Sequence, residues 1–120
     1  SYEKRRATAL SLLEAAAGAI PFGAWVKQSE SMLASKSEKL DLYTRPLYSI
    51  LEDVLIASSG GAALRNYDLD PQIRKLASHV TFDWIRQAVE QIDEMATLQR
   101  RNVQKGPLLD SLVVNLRQST

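Results

Sequence analysis

The sequence predicts an all-α protein, a compact bundle of about five to six helices. Apolar residues recur at spacings of three and four along most of the chain, which places them on one side of a helix. No stretch alternates apolar and polar residues as a half-buried strand would. Helix-start and helix-stop residues fall between the apolar stripes. The fullest example is Thr81 to Arg117, which reads as a long amphipathic helix, a short corner and a second, more apolar helix.

The totals set the frame. The chain has 120 residues, 45% hydrophobic and 24% charged, enough to bury a core and unlike a disordered segment. Fifteen Lys and Arg against fourteen Asp and Glu leave a net charge of +1, so no global field draws in nucleic acid or an anionic membrane. There is no cysteine, which excludes disulfides and thiolate chemistry. No apolar run reaches the length of about 18 residues that a membrane span needs, and no signal-peptide pattern opens the chain. A soluble cytoplasmic protein is expected. The helical pattern begins almost at Ser1-Tyr2, where no initiator Met stands, which suggests that residues 1–120 are one domain cut from a longer polypeptide.

Taken in order, Tyr2 to Ala17 is rich in helix formers, with Ala9, Leu12, Leu13 and Ala16 on one side and Gly18 as the stop. Lys4, Arg5 and Arg6 in its first turn read as solvated charges. Pro21 suits the first turn of a second helix carrying Phe22, Trp25, Val26, Met32 and Leu33, with Trp25 as a core anchor. Ser35 to Glu38 has the spacing of a capping box. The stripe that follows runs through Leu40, Tyr43, Leu47, Ile50, Leu51, Val54 and Leu55, and Pro46 inside it predicts a kink or a break into two helices. Ser58-Ser59-Gly60-Gly61 ends this segment, and the residues to Leu69 read as a flexible loop.

Asp70-Pro71 is a cap and first-turn pair for a short helix through Lys75, Leu76 and Ala77. Thr81 caps the long helix, whose apolar side is Phe82, Ile85, Ala88, Val89, Ile92, Met95, Ala96 and Leu98. The other side carries Asp83, Arg86, Glu90, Asp93, Glu94 and Thr97, with Arg86 placed to pair with Glu90. Gly106-Pro107 turns the corner. Leu108, Leu109, Leu112, Val113, Val114 and Leu116 then cover more than the stripe of about 100° that one packed face requires, so part of this helix is expected to meet another subunit.

The residues offer no catalytic constellation. His79 is the only histidine, there is no H-E-x-x-H, and its place between two helices suits a bond to the preceding carbonyls rather than a metal. Glu52-Asp53 and Asp93-Glu94 are sequence neighbours, which point about 100° apart on a helix and read as solvent-facing. Gly60-Gly61 lacks the rest of a phosphate loop, and no G-x-S-x-G presents a serine. Neither a cofactor nor a metal is expected, and the fragment is not expected to be an enzyme.

The wording of three segments resembles the C-terminal domain of the bacterial DNA polymerase III delta-prime subunit, part of the sliding-clamp loader. They are RRATALSLLEAAA, LYSILEDVLIA and the whole run IRKLASHVTFDWIRQAVEQIDEMATLQRRNVQKGPLLDSLVVNLR. The most specific matches are Arg101-Asn102 after the long helix, Leu108-Leu109, and the closing Leu116-Arg117. Gln104 stands where the family often has a second asparagine, and the Gly106-Pro107 corner also departs from its pattern. The resemblance implies an oligomerisation domain, a member of a collar in which helical domains of gamma/tau, delta and delta-prime subunits close a hetero-pentamer. DNA would be reached only through the complex, and no membrane would be involved. The interface expected from this reading comprises Arg101, Asn102, Leu109, Leu112, Val113, Leu116 and Arg117. Three alternatives stay open: the collar of another clamp-loader subunit, including a replication factor C small subunit; an unrelated helical adaptor; and a nucleic-acid binder using Arg100, Arg101, Lys105 and Lys4 to Arg6.

Overall fold

The structure, a computed structural model, describes residues 2–21, 23–27, 41–101 and 105–118. These hold α1 (Tyr2–Ala16), a helical stretch α2 described over 23–27, α3 (Asp41–Ser58), a single 3-10 turn (Tyr67–Leu69), α4 (Asp70–Ala77), α5 (Phe82–Arg100) and α6 (Lys105–Gln118). There is no strand among the described residues. The expectations placed on Phe22, Met32, Leu33, the capping box at 35–38 and Leu40 lie outside them.

Four helices close on themselves. α1 packs on α3 and α6, α5 packs on the same two, and α4 lies on α3. The core they share includes Leu12, Leu13, Leu47, Ile50, Ile92, Leu109 and Val113, each at most 2% exposed. Trp25 is completely buried and serves as the anchor its size suggests.

Two helix ends explain where the chain turns. At the end of α1, Ala19 N–H donates to Glu14 O at 2.8 Å and Gly18 N–H to Ala15 O at 3.1 Å, the paired bonds of a Schellman cap. α3 ends in the same way, with Gly61 N–H to Ile56 O at 2.8 Å and Gly60 N–H to Ala57 O at 3.2 Å. Both caps need a left-handed residue, and Gly18 and Gly60 supply it at φ of 75° and 82°.

Several expectations are corrected. α3 runs through Pro46 as one helix rather than breaking in two. The proline ring is buried, and the core residues Tyr43, Leu47, Ile50, Leu51 and Val54 hold the helix on both sides of it. Asp70 does not cap α4; it lies inside the first turn and accepts from Arg74 Nε at 2.9 Å. On α5, Thr81 does cap, its Oγ1 accepting from Trp84 N–H at 3.1 Å, but the apolar side is set differently. Trp84 is 1% exposed whereas Phe82 is 58% exposed.

The loop after α3 is tied down rather than flexible. Asp53, 1% exposed, accepts from Arg65 N–H at 2.9 Å, Asn66 N–H at 2.7 Å and Asn66 Nδ2 at 2.7 Å. Arg6 of α1 donates to Asn66 Oδ1 at 3.3 Å and to Asp68 at 3.0 Å, so it is not simply a solvated member of a basic cluster. Arg74 donates to the carbonyls of Gly61 and Ala62, closing the loop from the other end. Asp53 is thus the hub of a buried polar network, not half of a solvent-facing acidic pair. Its neighbour Glu52 is exposed and pairs with Arg65 at 3.1 Å.

Glu14 gives the fold a pH dependence. Burial pushes its carboxyl above the ordinary 4.5, and Lys75 of α4 acts in the opposite sense. An acid whose pKa is raised in the folded state binds its proton more tightly there than in the unfolded chain. Its contribution is therefore most favourable below the unfolded value and is lost as pH rises through the folded one. Glu14→Gln should raise the thermal midpoint at about pH 7 and lose that advantage at about pH 3, where the parent side chain is also neutral. An equal or lower midpoint at neutral pH would show that the Lys75 attraction outweighs the burial.

Candidate interaction surface

α5 and α6 form an antiparallel hairpin, and its two ends are fixed by different means. Trp84 Nε1, at the start of α5, donates to the carbonyl of Leu116 near the end of α6 at 3.1 Å. Arg117, one residue on, donates from Nη1 to Ala15 O at 2.8 Å and to Ile20 O at 3.1 Å. These are the carbonyls around the end of α1, where a cation is favoured by the helix dipole as well as by the hydrogen bonds. Arg117 therefore clamps the last helix to the first.

The final helix has less to offer a neighbour than its sequence suggests. Leu109, Leu112, Val113 and Leu116 are each at most 2% exposed and Leu108 is 7% exposed. The physical reason is that α6 has two partners inside the chain, α1 and α5, and fills both seams. Its broad apolar arc is consumed at home, and only Val114, at 42%, faces outward. Of the seven residues expected at an interface, Arg101 is exposed at the end of α5, and Asn102 lies outside the described residues. Charge reversal at Arg117 would break the chain's own clamp and so would not isolate an effect on assembly.

What remains open along the hairpin is a shallow groove between α5 and α6, with a volume of about 150 Å³. Met95, Leu98, Leu108 and Leu112 supply its apolar surface, while Glu94, Ser111 and Asn115 are its exposed polar edge. The apolar residues were legible as stripe positions on two separate helices. Their convergence on one groove was not, because it depends on the register of the hairpin. Arg101 follows directly on the α5 side.

Other expected or possible sites resolve as structural. His79 donates from Nδ1 to Lys75 O at 2.9 Å, the bond to the preceding helix that its position suggested. Asp93 accepts the hydroxyl proton of Tyr48, joining α5 to α3. Among the described residues no group of three His, Asp or Glu side chains is arranged to hold a metal. No described helix is long and apolar enough to cross a membrane.

Fold and surface together define an all-α helical bundle with an open hairpin groove. Protein-family models, curated proteins and solved structures gave no match to this chain.

Proposed function

We propose that this chain is a collar domain of a DNA polymerase III clamp loader, of the delta-prime type, and that it works by packing against neighbouring subunits. The sequence resemblance supplies the family. The observation that carries the mechanism is the groove between α5 and α6, where Leu98 is partly exposed above a floor of the buried Met95, Leu108 and Leu112. Both helices lie in the segment that carries the most specific family wording. In this reading a side chain from the adjacent subunit seats in the groove, and the polar edge at Glu94, Ser111 and Asn115 makes the rim of the interface. The domain performs no chemistry; gamma/tau and delta are the partners, in the cytoplasm, and DNA is met only through the assembled complex.

Arg101 tests the end of this surface. It is exposed, so Arg101→Glu leaves the core untouched and helicity by circular dichroism unchanged. Co-elution with gamma/tau and delta subunits on gel filtration should weaken by about tenfold, the expected order for reversing a charge at an interface rim. Undiminished co-elution would remove Arg101 from the contact.

A further inference from the structure

A second concavity lies on a different part of the bundle, between the first turn of α1 and the N-terminal half of α3. It has a volume of about 480 Å³, and Tyr2, Arg45, Tyr48, Glu52 and Arg65 are among its walls. That size is within the range of small-molecule sites. We propose that this cleft binds a small monocarboxylate carried on a flat apolar body.

The cations set the charge. Arg45 is exposed on α3 and has no ion pair or hydrogen bond among the described residues. Arg65 is paired with Glu52 at 3.1 Å, but the two side chains are 71% and 58% exposed, so the pair is weak and readily exchanged. A guanidinium offers five N–H donors in a planar fork, which leaves Arg65 donors to spare even while Glu52 is bound. Two arginines against one glutamate leave the walls with a surplus of one positive charge. A single carboxylate matches that surplus. A polyanion would meet Glu52 in the cleft and Asp93 behind Tyr48.

The aromatics set the body of the ligand. Tyr2 is 46% exposed at the edge of the cleft, and Tyr48 forms a half-buried wall. Burial and its bond to Asp93 push the Tyr48 hydroxyl up to about 12, so the phenol stays neutral and keeps its proton, donated in the hydrogen bond to Asp93. The two rings offer faces for stacking or edge contacts with a flat apolar group.

The test is calorimetric titration of the 120-residue chain with N-acetylphenylalanine, its uncharged amide, and inorganic phosphate at one ionic strength. The acid should bind about tenfold more tightly than the amide, the difference expected for a charge-assisted pair of bonds. Arg45→Gln, at an exposed position, should weaken the acid by a similar factor without changing the circular dichroism spectrum. Glu52→Gln should tighten it several-fold, because the competing internal carboxylate is gone. Equal binding of acid and amide, full binding by Arg45→Gln, or displacement of the acid by phosphate at matching concentration would each overturn the proposal.

Discussion

Trp84→Ala is expected to destabilise the fold by about 3–5 kcal/mol, the range for removing a large buried aromatic. Trp84 is 1% exposed, and it joins two effects in one side chain. Its ring fills the space between the start of α5 and the end of α6, and its Nε1 supplies a buried bond to Leu116 O. Alanine leaves a void and also orphans that carbonyl, which sits among the last turns of a helix where acceptors already lack partners. Trp84→Phe separates the terms: it keeps most of the volume and should lose roughly 1–2 kcal/mol, mostly from the bond. Chemical denaturation of the two variants measures both. A loss below about 1 kcal/mol for alanine would mean that the hairpin is held elsewhere.

Asp53→Ala is expected to cost about 3 kcal/mol, through the opposite kind of interaction. The carboxylate is almost completely buried and accepts three hydrogen bonds, two of them from backbone amides of the loop. Removing it strands those donors in a site that water cannot easily reach, and buried unpaired donors carry the full desolvation cost. The damage should be local as well as global. Hydrogen exchange at the Arg65 and Asn66 amides should accelerate more than at the core amides of α5, because the loop loses its anchor while the four-helix packing persists. Asp53→Asn should be intermediate, keeping one oxygen but turning an NH2 toward a donor. Protected Arg65 and Asn66 amides in the alanine variant would show that the network is decoration on a loop held by its other contacts.

These two residues also mark what a sequence can disclose. The helices were legible because their core positions repeat at helical spacing, and the caps at Gly18, Gly60 and Thr81 lie where their chemistry requires. Trp84 was harder. Two aromatics two residues apart compete for the inward side of α5, and periodicity from Phe82 chose the one that the packing leaves outside. Asp53 was illegible for a different reason: an acidic residue beside Glu52 looks solvated, and its donors come from a loop whose path no local rule fixes. Arg6 and Arg117 were hidden in the same way, since their partners lie on remote segments.

The last helix is the most instructive case. An apolar arc wider than one packed face suggests a second partner, and α6 has one, but it is α1 of the same chain. Width counts neighbours without saying whether they belong to the same polypeptide. What stays open along the hairpin is the seam between α5 and α6, the surface the proposed assembly would use and a feature that exists only once the hairpin has closed.

Ser111→Arg addresses that seam directly. Ser111 is exposed on the edge of the groove, with Glu94 lining the same concavity, so an arginine there can occupy the space without entering the core. The decisive measurement is assembly of this variant with gamma/tau and delta subunits, followed by analytical ultracentrifugation beside the parent chain. With unfolding stability unchanged, the variant should remain free while the parent is carried into the larger complex. If Ser111→Arg enters that complex as completely as the parent, the groove is not the docking surface.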